Sequence, residues 1–303
     1  MLGLGGREMF ENSETLHTRM QSGAKRFLPL ERRRQIARAS YFLKDTTAFK
    51  EFVASFGVAG QDDVRALRRD GFLRYPEMAL EGIPELVESV GGKLNDKIAE
   101  LGNECPVSPI PQSVRLAEPG LHALLRNREL NECLRGYFRA RPLFHSFDAW
   151  VGLSNGGKSG SPLLHLDSGG EKIIRLYIYL NEVGPQNGAF SFLPRSLSRR
   201  FSDRSGYLGN AIQDSDFLRI GGEIGIGWDD IRQVSGPAGT GFLIDTAQCF
   251  HFGSRISVDR RLTIILTWMI NPDAHEAHAA RSDLRQILSA AGENLDDYPS
   301  LVE

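Results

Sequence analysis

From Pro142 onward the chain breaks into short apolar or alternating runs, and their spacing restricts the fold more than any other feature of the sequence. The runs cover residues 147–153, 162–166, 172–181, 189–193, 241–244 and 261–270, separated by Gly, Pro, Ser, Asn and Asp. Several short strands punctuated in this way predict an antiparallel sandwich or barrel rather than βαβ units. Glycine placement agrees: 18 of the 32 glycines lie between Gly152 and Gly253, where such a barrel needs its turns.

Upstream the texture is helical. Residues 14–27 and 30–43 carry apolar side chains at helical spacing among many charges, and Arg32, Arg33 and Arg34 read most simply as a solvated helix face. The segment DDVRALRRDGFLRYPEM, from Asp62, predicts a helix with an acidic start that stops at Gly71 and hands over to a strand over 72–75. Further helices are predicted over 83–89, 121–137 and 273–291, with an irregular connection over 91–111. The 303 residues thus divide into a helical extension, 1–61, and a β-rich domain over 62–303 closed by the terminal helix. The extension would cover a pocket, mediate formation of a homodimer, or brace the barrel, and the sequence leaves these three open.

Charge and cysteine content narrow the class. The balance of 36 Lys+Arg against 38 Asp+Glu leaves a net charge of −2, without the basic footprint that a nucleic-acid partner requires. Three cysteines, Cys105, Cys133 and Cys249, form no CxxC pair, which argues against a disulfide framework or a cysteine-rich zinc site and for a reducing compartment. Arg7, Glu8 and Glu11 interrupt any apolar leader, and no run approaches the length of a membrane span. A soluble, cytoplasmic protein with no membrane partner is expected.

Among seven histidines, two stand where chemistry is plausible. His165 and Asp167 lie at i and i+2 in LLHLDSGG, at the end of a predicted strand, and so share a face. His251, in GTGFLIDTAQCFHFGS, follows another strand. If the two strands are neighbours, two imidazoles and one carboxylate converge, a set that holds divalent iron while leaving positions open for oxygen. An HxD tripeptide alone is common by chance, and a histidine at a strand end is often merely a surface residue. Arg261 adds context. It opens the strand RRLTIILTW, where Arg261, Thr263, Ile265 and Thr267 face one way and Leu262, Ile264 and Leu266 the other. An inward arginine needs an anion, because an unpaired buried charge is costly. A dicarboxylate held bidentately would serve, unless Arg260 faces inward instead or a structural carboxylate pairs with Arg261.

In their order these segments resemble the 2-oxoglutarate-dependent Fe(II) dioxygenases of the phytanoyl-CoA dioxygenase (PhyH-like) family. The resembling parts run from Asp62 to Thr267: DVRALRRDGFLRYPEM, HLD, IIRLYIYLNE, NGAFSFLPRS, GTGFLIDTAQCFHFGS and RRLTIILTW. The resemblance implies a mainly β double-stranded β-helix (jelly roll, cupin-like) core with flanking helices. It implies His165, Asp167 and His251 as ligands of Fe(II), and Arg261 on the distal carboxylate of 2-oxoglutarate. It also implies an enzyme that uses O2 to oxidise, most simply to hydroxylate, a C–H bond of a small-molecule substrate, with release of succinate and CO2. A carboxylate at 167, rather than a small residue, speaks for hydroxylation, desaturation or ring formation over halogenation.

The sequence also departs from the family. Pro194 is followed by Arg195, Ser196 and Leu197 where a PGSH-like end is common, and Gly253, with Ser254 next, stands where a hydroxyl residue is usual. Tyr177 and Tyr179, on a face with Arg175, and Thr263, on the face of Arg261, are candidates to bond 2-oxoglutarate, with plain core the alternative for the tyrosines. Cys249, on the face of His251, is expected as a neutral packed thiol. Lys158, Arg195, Arg199 and Arg200 are candidates for an anionic group on the substrate, against a solvated-loop reading. Trp150 and Trp228 are candidates for the pocket mouth, against core. Two rival functions remain: a cupin-type oxygenase that does not use 2-oxoglutarate, and a non-catalytic metal-binding or sensor barrel.

Overall fold

Helix α1 (Asp62–Asp70) turns Val64 and Leu67 inward and ends at Gly71. There the backbone φ of 73° is left-handed, and a Cβ would collide with the thiol of Cys249. Strand β1 (Phe72–Arg74) follows, as the sequence predicts. The computed structural model from which this architecture is read describes residues 62–102, 105, 107–152, 163–168, 172–207, 209, 211–253, 255, 260–270 and 275–301, the last of these as backbone alone over 275–279. The helices expected over 14–27 and 30–43, the loop that carries Lys158, and Ser254 lie outside the described residues.

Helix α2 (Ile83–Leu101) replaces the short helix and irregular connection expected around the Gly91–Gly92 pair. The steps of three and four that link Ile83, Leu86, Val90 and Leu94 continue across the glycines, and all four side chains are buried. A helical glycine costs up to about 1 kcal/mol relative to alanine. Burying each of those side chains contributes about 1.5–3 kcal/mol, so the apolar face prevails. A short helix α3 (Gln112–Leu116) precedes α4 (Pro119–Arg126) and α5 (Arg128–Phe138). The single helix expected over 121–137 is divided at Asn127, whose side chain accepts from the Leu130 N–H at 2.9 Å and caps α5.

The remaining strands are β2 (Leu143–Gly152), β3 (Ile173–Tyr179), β4 (Phe190–Phe192), β5 (Arg232–Val234), β6 (Gly241–Asp245), β7 (His251–Phe252) and β8 (Arg261–Met269). Helices α6 (Arg195–Ser205), α7 (Asp214–Gly222) and α8 (His275–Ala290) complete the elements used below. One antiparallel sheet has the order β1-β6-β3-β8-β2 and the other β5-β4-β7. The segment around Leu164 and His165 extends the smaller sheet, because His165 bridges to His251. Successive segments therefore alternate between sheets: β2 in the large one, 164–165 in the small one, β3 in the large, β4 and β5 in the small, then β6, β7 and β8 in turn. That winding is the jelly roll expected from the sequence.

Strand β5 and helices α6 and α7 were not expected. In α6 only Leu197 and Phe201 are apolar, and two serines, Ser198 and Ser202, share the buried face, which leaves little periodic signal.

Three apolar layers follow from strand alternation. Leu176 and Ile178 of β3, Leu243 of β6, and Leu262, Ile264 and Leu266 of β8 point outward to the helices. Tyr177, Tyr179, Phe242, Ile244 and Ile265 point inward and meet Phe190 and Phe192 of the small sheet. Helices α6 and α7 cover the outer side of that sheet through Phe201 and Phe217 against Leu166, Phe250 and Phe252. Strand β8 is buried on both faces along its length, which explains its nearly unbroken apolar run.

The turn after β6 is organised by a buried carboxylate. Asp245 accepts from the Tyr137 hydroxyl at 2.5 Å through Oδ2 and from the Ala247 N–H at 3.1 Å through Oδ1. Its own carbonyl accepts from Gln248 and Cys249 N–H. This closes the bend that delivers His251.

Two glycines give a stability test whose signs are opposite. In α4, a Cβ on Gly120 would lie 2.6 Å from the Gly82 carbonyl oxygen and 2.8 Å from Leu86 Cγ, whereas nothing stands within 4 Å of one on Gly92. Gly120→Ala is expected to lower unfolding free energy by about 1–3 kcal/mol through overpacking. Gly92→Ala, on an exposed helix surface, is expected to raise it by about 0.5–1 kcal/mol. Urea unfolding of the two variants checks both signs.

Candidate metal centre

His165 and His251 occupy opposite positions in an antiparallel bridge, and each exchanges backbone bonds with the other: His165 N–H to His251 O at 3.0 Å and His251 N–H to His165 O at 2.9 Å. Their side chains therefore leave the sheet on one side, with ring centroids 4.3 Å apart. Asp167, two residues on, points to the same side, and its N–H is held by the Thr246 carbonyl at 2.9 Å. Its Oδ1 lies 3.7 Å from His165 Nε2 and 3.8 Å from His251 Nε2. One donor atom from each residue falls within 4.8 Å of the others, the single such set among the described residues.

The tautomers are fixed by local bonds. His165 Nδ1 is 2.7 Å from the Leu163 carbonyl and His251 Nδ1 is 3.1 Å from the Cys249 carbonyl. A carbonyl only accepts, so each Nδ1 carries the proton and each Nε2 offers its lone pair to the common point. Burial drives the His251 pKa down to about 4, against the pull of Asp167, so this ring is neutral at pH 7. Burial pushes the Asp167 carboxyl upward, but His251, Arg175 and a hydrogen bond from Thr246 outweigh it and hold the carboxyl below its usual range. A neutral imidazole at His251 and an anionic carboxylate at Asp167 are the states that a divalent cation requires of these ligands.

Arg175 contributes a feature that the sequence reading did not assign. Its Nη2 lies 2.8 Å from Asp167 Oδ2, an ion pair on the oxygen turned away from the imidazoles, not aligned as a hydrogen bond. The carboxylate is thereby divided, Oδ1 facing the histidines and Oδ2 the guanidinium. A charged residue inside the apolar strand IIRLYIY was the available signal for this role.

Arg261 faces into the barrel and is buried, while Arg260 is half exposed, with its carbonyl accepting from Asn181. One Arg261 Nη donates to the Gly188 carbonyl. The other would lie 3.0 Å from a Cβ at Gly253, so the missing side chain there opens the guanidinium to the interior. Burial lowers the Arg261 pKa, opposed by the nearby hydroxyls of Tyr179 and Tyr177. Thr263, two residues on, is buried with a hydroxyl that has no hydrogen-bond partner among the described residues. Phe190 ties the two ends of the interior together, stacking on His251 at 5.5 Å and meeting Tyr177 at 4.6 Å between ring centroids.

Other expected site residues lie differently. The Tyr179 hydroxyl donates to the Val234 carbonyl at 2.7 Å and accepts from Phe190 N–H, so its only hydrogen is engaged in joining the sheets. Tyr177 lies flat on Phe242 and shares a hydrogen bond with Arg175. The Cys249 thiol turns to the Asp70 carbonyl, at 3.6 Å, and to Gly71, not to the space between the histidines. Trp150 packs against the interior cluster. Trp228 belongs to the outer layer, 4.7 Å from Phe217, with the Arg255 guanidinium 5.3 Å from its ring centroid, and so does not face the interior.

No family model matches the sequence, and no curated protein does. Among solved structures, the chain aligns with AviO1 from Streptomyces viridochromogenes at 15% identity and a TM-score of 0.46, covering 71% of this chain and 96% of that one. It aligns with EctD from S. alaskensis with bound Fe at 18% identity and a TM-score of 0.46, covering 68% and 75%. For HygX from Streptomyces hygroscopicus, with nickel and 2-oxoglutarate bound, the values are 14% identity, a TM-score of 0.45, and coverage of 69% and 86%. Likenesses this remote say nothing of what the chain does. No helix among the described residues is long and apolar enough to cross a membrane.

The His251 shift has a consequence for the metal-free protein. Between its folded pKa of about 4 and the ordinary value of 6.5, the unfolded chain binds a proton that the folded one does not. Folding stability therefore falls as the pH drops through that window. In the presence of chelator, thermal midpoints measured from pH 7 to pH 4 are expected to decline, and to decline less steeply in His251→Gln.

Proposed function

We propose that this chain is a non-haem Fe(II)- and 2-oxoglutarate-dependent oxygenase of the PhyH-like kind that hydroxylates a C–H bond of a small organic molecule. The observation that carries the reading is the convergence of three donor atoms, two of them imidazole nitrogens directed by hydrogen bonds from Nδ1 to the backbone and the third a carboxylate oxygen turned to them by Arg175. His165 and His251 would bind the metal through Nε2 and Asp167 through Oδ1, an incomplete shell with room for further ligands. When bound together, iron and 2-oxoglutarate supply oxidation by O2, with loss of CO2 and formation of succinate.

The chain's own residues orient and shield that chemistry. Arg175 keeps Asp167 Oδ2 engaged, which favours a single oxygen on the metal. Arg261 supplies a buried guanidinium at the far end of the interior, with the unpartnered Thr263 hydroxyl beside it on the same face of β8. A buried cation and an orphaned hydroxyl fit a carboxylate that brings its own charge and acceptors. Phe190, Tyr177, Phe242 and Ile265 form apolar walls that exclude water.

Anaerobic addition of Fe(II) and 2-oxoglutarate is expected to give the weak visible charge-transfer band of the chelate, and His165→Ala to remove it. Arg261→Ala should bind metal as before but need about 10–100-fold more 2-oxoglutarate, the loss expected for a charge-assisted bond. Turnover that is indifferent to Arg261→Ala and yields no succinate would establish the cupin-type oxygenase instead. Metal binding with no consumption of 2-oxoglutarate under any substrate would leave a sensor barrel.

A further inference from the structure

On the outer side of the small sheet, a cavity of about 420 Å³ lies between the end of α1 and the first turns of α6. Five arginines line it, Arg68, Arg69, Arg195, Arg199 and Arg200, against one acidic residue, Asp203, and the Arg68 guanidinium donates to the Gly136 carbonyl. An excess of positive charge around one space favours an anion there. Arg69 is paired with Asp70 at 2.8 Å. Arg195 and Arg200 donate to the carbonyls of Arg68 and Ile224, each at 2.6 Å, which orients a guanidinium without neutralising it. Arg199 forms no hydrogen bond or ion pair with any described residue.

Two further observations point to a ligand. Helix α6 begins at Arg195 with no side-chain cap, so its first N–H groups and the positive end of its dipole stand at the cavity. Ser202, also in the wall, is 4% exposed, yet its hydroxyl has no hydrogen-bond partner among the described residues. A buried hydroxyl without a partner costs free energy that a bound acceptor would recover. The cavity also borders the candidate metal centre from behind: Leu166, between His165 and Asp167, forms part of its wall with Gln248, and Leu166 packs into the outer layer, away from the imidazoles.

We propose that this cavity is a second ligand site, one that takes the phosphoryl group of a small phosphorylated molecule. Arg195 and Arg199 hold its oxygens, together with the N-terminal turn of α6. Planar guanidinium forks match phosphate geometry, and a concave site of this volume suits a small ligand rather than an extended surface. The site needs neither metal nor 2-oxoglutarate, so its test is independent of the oxygenase reading.

Inorganic pyrophosphate titrated calorimetrically into the metal-free full-length chain is the probe, with sodium sulfate at matched ionic strength as the control. Saturable binding is expected, weakened about tenfold or more by Arg199→Glu, with the thermal midpoint of that exposed-site variant unchanged. Arg200→Glu provides a second variant with the same expectation, and His165→Ala and Arg261→Ala should bind pyrophosphate like the parent. Binding that does not saturate, that sulfate reproduces equally, or that survives both charge reversals would overturn the proposal. So would loss of binding in Arg261→Ala alone, which would place the anion inside the barrel. Capture by phosphatidylglycerol vesicles with no response to pyrophosphate would assign the arginines to a lipid surface and equally overturn it.

Discussion

The reciprocal pair of backbone hydrogen bonds between His165 and His251 is the contact on which the candidate site depends. It sets two residues distant in sequence directly opposite each other in an antiparallel register, where side chains leave on the same side and lie close. A slip by one residue would turn one imidazole to the outer layer, where Leu164, Leu166 and Phe250 now pack. The register is held from both directions. Asp245 closes the bend before His251, and Thr246 fixes Asp167 by main chain and side chain together. The candidate ligands are thus placed by sheet geometry before any metal is considered.

The barrel interior carries an unusual load of polarity. Arg261, Thr263 and the hydroxyls of Tyr177 and Tyr179 are buried, and Arg175 and Asp167 half-buried, between two sheets that otherwise meet through aromatic rings. Such groups are tolerated where they satisfy one another. Tyr179 does so through the backbone of the small sheet, and Arg175 through Asp167 and Tyr177. Around Arg261 and Thr263 the arrangement is more open, because residue 253 is a glycine and the threonine hydroxyl finds no acceptor. Polarity left open in an otherwise dry interior is what separates a binding site from a core.

Much of this was legible in the sequence, for identifiable reasons. Strand alternation in RRLTIILTW correctly separated the inward Arg261 from the outward Leu262, because a period of two leaves only two choices. HLD placed His165 and Asp167 on one face by the same rule. Helix α2 was cut short because a glycine pair reads as a break when the apolar spacing across it is not followed. Helix α6 was missed because its buried face is half serine, and the fate of the Cys249 and Tyr179 side chains depended on partners far away in sequence, Gly71 and Val234. Alternation says which face a side chain takes, whereas what waits for it there is decided by the other sheet.

Strand β8 lies between β3 and the edge strand β2 in the large sheet, is buried on both faces, and follows every other strand described. As the chain leaves the ribosome, β3 can pair on one side with β6, but β2 has no partner until β8 arrives, because β8 is its only neighbour in the sheet. The paired edge of β2 is therefore completed only when nearly all of the described barrel has been synthesised. Pairing so distant in sequence is intrinsically slow and vulnerable to association in the meantime. The architecture that fixes the histidines so firmly therefore also delays the closure of the large sheet to the pairing of β2 with β8, across more than a hundred residues of chain.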